Sequence, residues 1–302
     1  MSIVATYHTP VMLHECIEAL NIKPDGIYVD VTFGGGGHSR AILEKLGPKG
    51  KLIGFDQDDD VKNNLPDDAR FIWVNHNFRF LKNFLKLHHI NAADGILADL
   101  GVSSHQFDEG SRGFSYRSDA LLDMRMDQQS KPDARGVVNT YTEEQLIHIF
   151  KSYGELKNSR KVAQTIIDAR TQKSIETINH FLKAIERVTP FKDKYTFLSQ
   201  VFQAIRMEVN KELDVLGKFL NDTTECLSKG GRLVVMSYHS LEDRLVKSFI
   251  ASGNTEGHIV KDVYGNSNNP LKALSRAIAP SDEEIEKNPR SRSAKLRIAE
   301  KL

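Results

Sequence analysis

Short runs rich in β-branched and aromatic residues recur through the first hundred positions, at residues 27–33, 51–56, 70–75 and 94–100. Helix-length segments separate them, among them 38–46, ended by Gly47-Pro48, and 79–87. Strands spaced by helices predict βαβ units and a parallel sheet. Because the strands are nearly continuous in apolar residues, that sheet should be covered on both faces. A fifth run, 232–238, follows Gly230-Gly231, which closes a helical stripe of Val209, Leu213, Leu216 and Leu220. Near the end, 294–299 alternates as a half-exposed or edge strand would.

Between these regions the pattern changes. Residues 107–141 are rich in Gly, Ser, Arg and Asp with little periodicity. A helical block follows. Thr142-Glu143-Glu144-Gln145 reads as a capping box, with Leu146, Ile149 and Phe150 on one face. Val162, Ala163, Ile166 and Ile167 mark a second helix, and Ser174 is expected to cap a third carrying Ile175, Ile178, Leu182 and Ile185. The predicted organisation is a discontinuous α/β domain, 1–107 and 211–302, interrupted by a mainly helical inserted domain, 108–210.

Composition narrows the partners. With 41 Lys plus Arg against 40 Asp plus Glu, the net charge is only +1, which excludes a generic basic nucleic-acid coat but not a local basic patch. Cys16 and Cys226 sit in no CxxC pair, so a reducing compartment is expected. No apolar run approaches the ~18 residues of a membrane helix, and MSIVATYHTPVMLHE lacks a basic region followed by an apolar stretch. A cytoplasmic protein without membrane contact is expected. The histidines show no metal-ligand spacing such as HExxH.

The first candidate site is Asp30-Val31-Thr32-Phe33-Gly34-Gly35-Gly36-Gly37-His38-Ser39, where a strand hands over to a helix. Glycines there permit a tight turn and close ligand approach, and ligands of open α/β sheets sit at the carboxyl ends of strands. Asp56 ends the second strand, where an acid can bind a ribose diol. The dinucleotide pattern G-x-G-x-x-G is incomplete, because Ser39 or Arg40 replaces its third glycine. Asp30, Thr32, Gly34 and Gly36 instead supply an acid followed by small residues at every second position, which suits S-adenosylmethionine. The second site is Asp99-Leu100-Gly101-Val102-Ser103-Ser104-His105-Gln106. A carboxylate at that strand end can hold a ligand amino group or orient a nucleophilic amine. At Ser237-Tyr238-His239-Ser240-Leu241-Glu242-Asp243 no G-x-S-x-G elbow exists, so Ser240 with Asp243 reads as a helix start. Arg112, Arg117 and Arg125 are interleaved with Phe114 and Tyr116, and Arg290, Arg292, Lys295 and Arg297 cluster near the end. Such patterns suit single-stranded RNA. An oxidoreductase and a non-catalytic assembly factor are the competing classes.

Several long motifs carry a resemblance. They are DVTFGGGGHS at 30–39, DGILADLGVSS at 94–104, RGFS at 112–115, LDMRMD at 122–127, FQAIR at 202–206 with VNKEL at 209–213, HSLEDR at 239–244 and NPRSRSAKLR at 288–297. In this order the chain resembles the RsmH (MraW) family of bacterial ribosomal RNA small-subunit methyltransferases. The resemblance implies a Rossmann-like class I S-adenosylmethionine-dependent fold with an inserted helical domain. It also implies methylation of a cytidine N4 in the decoding region of the small-subunit ribosomal RNA, within the small ribosomal subunit. By motif, cofactor contacts fall on Gly36, Gly37, His38, Asp56, Phe78, Asp99 and Gln106. Asp99, with Ser103 and His239 nearby, is the expected catalytic group, and Arg112, Arg117, Arg125, Arg290 and Arg292 are the expected RNA contacts. Leu121 stands where the family usually has Pro. A homodimer is left open.

Overall fold

Seven strands, β1 (Ile27–Asp30), β2 (Lys51–Phe55), β3 (Phe71–Val74), β4 (Ala93–Asp99), β5 (Leu227–Ser237), β6 (Leu271–Ala273) and β7 (Lys295–Lys301), form one sheet in the order β3-β2-β1-β4-β5-β7-β6. They are seen in a computed structural model that describes residues 10–259, 261, 264–265 and 268–302. The run β3-β2-β1-β4-β5 is parallel, whereas β7 is antiparallel to both β5 and β6. An antiparallel strand inserted beside β5 departs from the 3-2-1-4-5-6 order of dinucleotide-binding sheets. This agrees with the missing third glycine and removes the oxidoreductase alternative's structural support. The expected Rossmann-like α/β sheet is present.

Alternate residues of the strands enter opposite cores, as the pleat requires. Val29, Ile53, Ile96 and Leu233 pack on one face with Leu81, Phe219, Val246 and Phe249. Their neighbours Tyr28, Leu52, Leu97 and Val234 pack on the other with Met12, Cys16, Leu20 and Ile42. Strand order reverses between β1 and β4, so the crevice of an open sheet lies at their carboxyl ends, where Asp30 and Asp99 stand.

The chain divides into two compact units, Met1–Gly101 with Leu213–Leu302, and Val102–Glu212. The second begins six residues before and ends two residues after the expected 108–210. Its core is built by helices Glu143–Ser152, Ser159–Gln172, Ile178–Ile185 and Lys194–Asn210. Leu146, Ile149, Phe150, Val162, Ile166, Phe181, Val201, Phe202 and Ile205 meet there, the i, i+3, i+4 stripes of amphipathic helices. The Thr142–Gln145 capping box is formed.

Several expectations are corrected. Thr177, not Ser174, caps the third helix, because Ser174 is bonded to Glu176 and Ile175 lies outside the helix. The stripe from Val209 to Leu220 belongs to two helices. Lys211, in the left-handed region at φ 50°, separates Lys194–Asn210 from Glu212–Cys226. Val209 therefore joins the helical unit's core, and Leu216 and Leu220 join the sheet's. Strand β7 is interior, paired on both sides, and its alternation reflects partial cover rather than an edge. Strand β5 starts at Leu227, before Gly230-Gly231. The pairing jumps from Ala93↔Leu227 to Gly95↔Arg232, a bulge in which Gly230 takes φ 75°.

Candidate active site

Asp30 closes β1 almost completely buried, at 1% exposure. One of its oxygens accepts the Thr32 N–H at 3.1 Å and the other the Ser39 hydroxyl at 2.7 Å. Burial pushes its carboxyl up to about 6, against those hydrogen bonds. Asp30 therefore braces the glycine turn from beneath. Asp56 braces it from the side, accepting Gly34 N–H at 2.8 Å and Asp58 N–H at 2.9 Å, and burial raises it to about 6 as well. Gly36 caps helix Gly37–Lys45 at φ 74°, and a Cβ there would stand 2.7 Å from the Phe33 ring. A Cβ on Gly37 would collide with Pro10. Both positions thus require glycine for reasons of packing as well as approach.

Asp99, the last residue of β4, is tied to the turn through its N–H, which donates to Thr32 Oγ1 at 2.7 Å. Its Oδ1 accepts the Tyr238 hydroxyl at 2.7 Å. Burial pushes the carboxyl up to about 6, while His38 and Tyr238 pull it down. No sequence motif marks Tyr238 as a site residue, although the Asp99↔Met236 register places it just beyond the end of β5, beside β4's last carboxylate.

His38 is buried, and its Nε2 lies 3.2 Å from the Val11 carbonyl. A carbonyl only accepts, so Nε2 carries the proton. Burial holds His38 below its ordinary pKa despite Asp99, so the ring is neutral and Nδ1 is an acceptor. That nitrogen faces Asp99 Oδ2 at 3.9 Å. At neutral pH two acceptors thus confront each other across a gap too long for a direct hydrogen bond. The pair calls for a bridging donor, and an ammonium group offers enough N–H bonds to serve both. Phe78 opens a short turn capped by Asn77, with its ring edge-on to Phe219 at 5.2 Å.

The other predicted residues divide. His239 caps helix Ser240–Ser252, accepting from Glu242 N–H at 3.5 Å, and its Nε2 lies 3.1 Å from Glu242 Oε1. The helix begins at Ser240, as the sequence leads one to expect, with His239 as the residue before it. Asp243 instead binds Arg297, at 2.7 and 3.1 Å, and Lys295 at 3.3 Å. In the helical unit, Ser103 and the buried Gln106 form a reciprocal capping box for helix Ser104–Asp108. This gives Ser103 a structural task.

Arg112 is a further correction. It is 7% exposed, and its guanidinium donates to the Arg125 and Met126 carbonyls at 3.0 and 3.2 Å. A guanidinium enclosed by the loop it closes does not meet a phosphate. Arg125 is held bidentately by Asp123, at 2.8 and 2.6 Å, with a third bond to the Ser130 carbonyl. Asn210 fastens the same loop, accepting from Met126 N–H and donating to the Met124 carbonyl, both at 2.8 Å. Arg117, Arg290 and Arg292 are exposed.

Residues 5–302 match the MraW methylase family. The ribosomal RNA small subunit methyltransferase H of Flavobacterium johnsoniae is 55% identical over 302 residues, covering 100% of both chains. That of Bacteroides fragilis strain YCH46 is 55% identical over 297 residues, 98% of each. The crystal structure of an rRNA methylase from Streptococcus thermophilus covers 99% of both chains at 13% identity with a TM-score of 0.39. So low a score leaves the fold to the strand order, whereas the full-length identity to the curated relatives decides the ancestry. The chain belongs to the MraW methylase family.

Proposed function

We propose that the chain transfers a methyl group from S-adenosylmethionine to the exocyclic N4 of a cytidine in the decoding region of small-subunit ribosomal RNA, acting on the small ribosomal subunit in the cytoplasm. The observation that carries the cofactor is the pair of acceptors, Asp99 Oδ2 and His38 Nδ1, 3.9 Å apart. The substrate reading is supported by the full-length identity to proteins named for small-subunit ribosomal RNA methylation.

The donor set fits this cofactor. Asp99 and His38 would hold its ammonium, Asp56 its ribose diol, and the turn at Gly36 and Gly37 would let it approach the backbone. Phe78 would offer it an apolar ring. When bound, S-adenosylmethionine supplies an electrophilic methyl on a sulfonium. The chain's own work is alignment. A cytosine amine is a weak nucleophile because its lone pair is delocalised into the ring. Positioning it in line can contribute roughly 7–11 kcal/mol in favourable cases. Asp99, fixed by Tyr238 and Thr32, would hold the cofactor at the reacting edge. The target base must be unstacked or flipped to reach it. Arg117, Arg290 and Arg292 are the exposed arginines left to meet phosphates.

The test is methyl transfer from labelled S-adenosylmethionine to small subunits lacking the modification, followed by nucleoside analysis. Label in N4-methylcytidine that vanishes with Asp99→Ala is the expected result. Label in another nucleoside would refute the target, and no transfer with cofactor binding intact would favour a binding factor over an enzyme.

A further inference from the structure

Within the helical unit, residues 191–196 are exposed without a break, in the sequence Phe191-Lys192-Asp193-Lys194-Tyr195-Thr196. Phe191 lies wholly in solvent, at 102% relative exposure, and Tyr195 is 68% exposed. An aromatic ring that touches no core contributes nothing to packing. Tyr195 does touch one neighbour: its ring stacks on Tyr116, centroids 6.5 Å apart at 25°. Tyr116 is in turn set edge-on against Phe202 at 5.6 Å, and Phe202 against Phe181 at 5.8 Å. Phe181 and Phe202 belong to the helical core. The Tyr116–Tyr195 stack is thus anchored below and open above. Lys192, Lys194 and Arg117 lie close to the two tyrosines in sequence, all exposed, with no ion pair among the described residues.

We propose that Phe191 and the Tyr195–Tyr116 stack form a platform on which unpaired bases of the substrate RNA stack, with Lys192, Lys194 and Arg117 on the flanking phosphates. This rests on the reading of the chain as an RNA methyltransferase. Interleaved charge selects the occupant. Lysine is depleted from the cores of protein–protein interfaces, whereas aromatic faces alternating with cations are the pattern of single-strand binding. Asp193 and Asp119 leave the patch one charge positive by residue count against the three cations. Stacking rather than bulk attraction would therefore supply most of the affinity. The platform also accounts for the corrected arginines: Arg112 and Arg125 build the loop that presents Tyr116, and of the three only Arg117 is in the exposed class.

The full-length protein carries one tryptophan, Trp73, so Phe191→Trp provides a reporter. Its fluorescence should be quenched by a single-stranded RNA oligonucleotide and much less by the same sequence fully base-paired. Phe191→Ala and Tyr195→Ala should each weaken oligonucleotide binding about 5- to 160-fold and raise KM for unmodified small subunits with little change in kcat. Phe191→Tyr, which keeps a ring, should restore binding where Phe191→Leu does not. Lys192→Ala with Lys194→Ala should flatten the salt slope by about 1.4. Failure of the wild-type protein to bind the oligonucleotide, equal quenching by duplex, wild-type behaviour of Phe191→Leu, or loss confined to intact subunits would each overturn the platform. The last outcome would assign the loop to a ribosomal protein. If subunits are methylated normally by the alanine variants, the platform falls and the proposed function stands. If the wild-type protein methylates no RNA, the proposed function itself falls.

Discussion

Tyr238→Phe isolates one hydrogen bond at the end of β4. Burial, with Asp99 second, holds the Tyr238 hydroxyl far above its ordinary pKa, so it is a proton donor at every workable pH. It donates to Asp99 Oδ1 at 2.7 Å, and the substitution removes only the oxygen. A hydrogen bond to a charged group contributes about 1.5–3 kcal/mol. At 1.36 kcal/mol per unit, its loss should lift the Asp99 carboxyl by about 1–2 units from its present value. That value is about 6. Only the ionised form pairs with the cofactor's ammonium, so affinity should rise with pH through the Asp99 pKa, and the variant's rise should come later. At pH 6.5 the ionised fraction falls about 3- to 25-fold, whereas near pH 8.5 the difference shrinks to about 1.3-fold at most. Calorimetric titration with S-adenosylhomocysteine across this range reads the shift directly. An acid limb that stays in place, with affinity lowered equally at all pH values, would refute the coupling and reduce Tyr238 to a packing residue.

Other substitutions test the remaining assignments. Gly36→Ala places a methyl 2.7 Å from the Phe33 ring at a backbone φ of 74°. It should cost about 1–3 kcal/mol in stability and weaken S-adenosylhomocysteine binding, visible as a lower melting temperature and a raised Kd. Arg112→Ala should destabilise the protein by about 2–4 kcal/mol through two orphaned carbonyls. Its oligonucleotide salt slope at low temperature should stay unchanged, and a flattened slope would restore Arg112 as a phosphate contact. Burial raises the Asp243 carboxyl, but Arg297 and Lys295 more than offset this and leave it below the ordinary value. The stability it contributes is therefore present above pH 3.8 and lost as pH falls through the lowered folded pKa. Asp243→Asn should cost about 3 kcal/mol at neutral pH and flatten the acid limb of the melting curve.

The sheet was legible because its strands are punctuated. Runs such as 51–56 between Gly50 and charged residues leave little choice of register, and Gly34–Gly37 mark where a chain must turn sharply. What was hidden depends on partners distant in sequence. Tyr238 meets Asp99 across 139 positions, and Asn210 meets Met124 and Met126 across 86 and 84. Arg112 and Arg125 looked like RNA contacts because arginine beside aromatics is the common surface pattern. Only the fold shows that carbonyls of their own loop surround one and Asp123 clamps the other. Strand β6, three residues long, lacks the length for any periodicity to register. His239 looked catalytic from its serine and acid neighbours, but a residue preceding a helix is also a cap, and a linear motif does not separate these roles.

The carboxylates at the strand ends separate scaffold from site by what each oxygen already holds. Keeping Asp30 ionised at neutral pH, with its carboxyl raised from 3.8 to about 6, opposes folding by about 3 kcal/mol. The cost grows as pH rises from 3.8 towards 6 and is constant above. Ser39 and Thr32 occupy both oxygens and already hold the rise down to that value, so Asp30 acts on the turn. Asp99 carries a similar upward shift, but among the described residues its Oδ2 meets only a histidine lone pair at 3.9 Å. A carboxylate whose burial is incompletely compensated by its own chain is best explained by a ligand that completes it. The difference predicts opposite phenotypes. Ser39→Ala should lower the melting temperature with little specific effect on pH-dependent cofactor binding. His38→Phe, which removes the second acceptor and the Val11 contact, should weaken S-adenosylhomocysteine binding by more than its effect on stability explains. Equal effects of both substitutions on affinity, after correction for unfolding, would show that the 3.9 Å gap has no ligand to fill it.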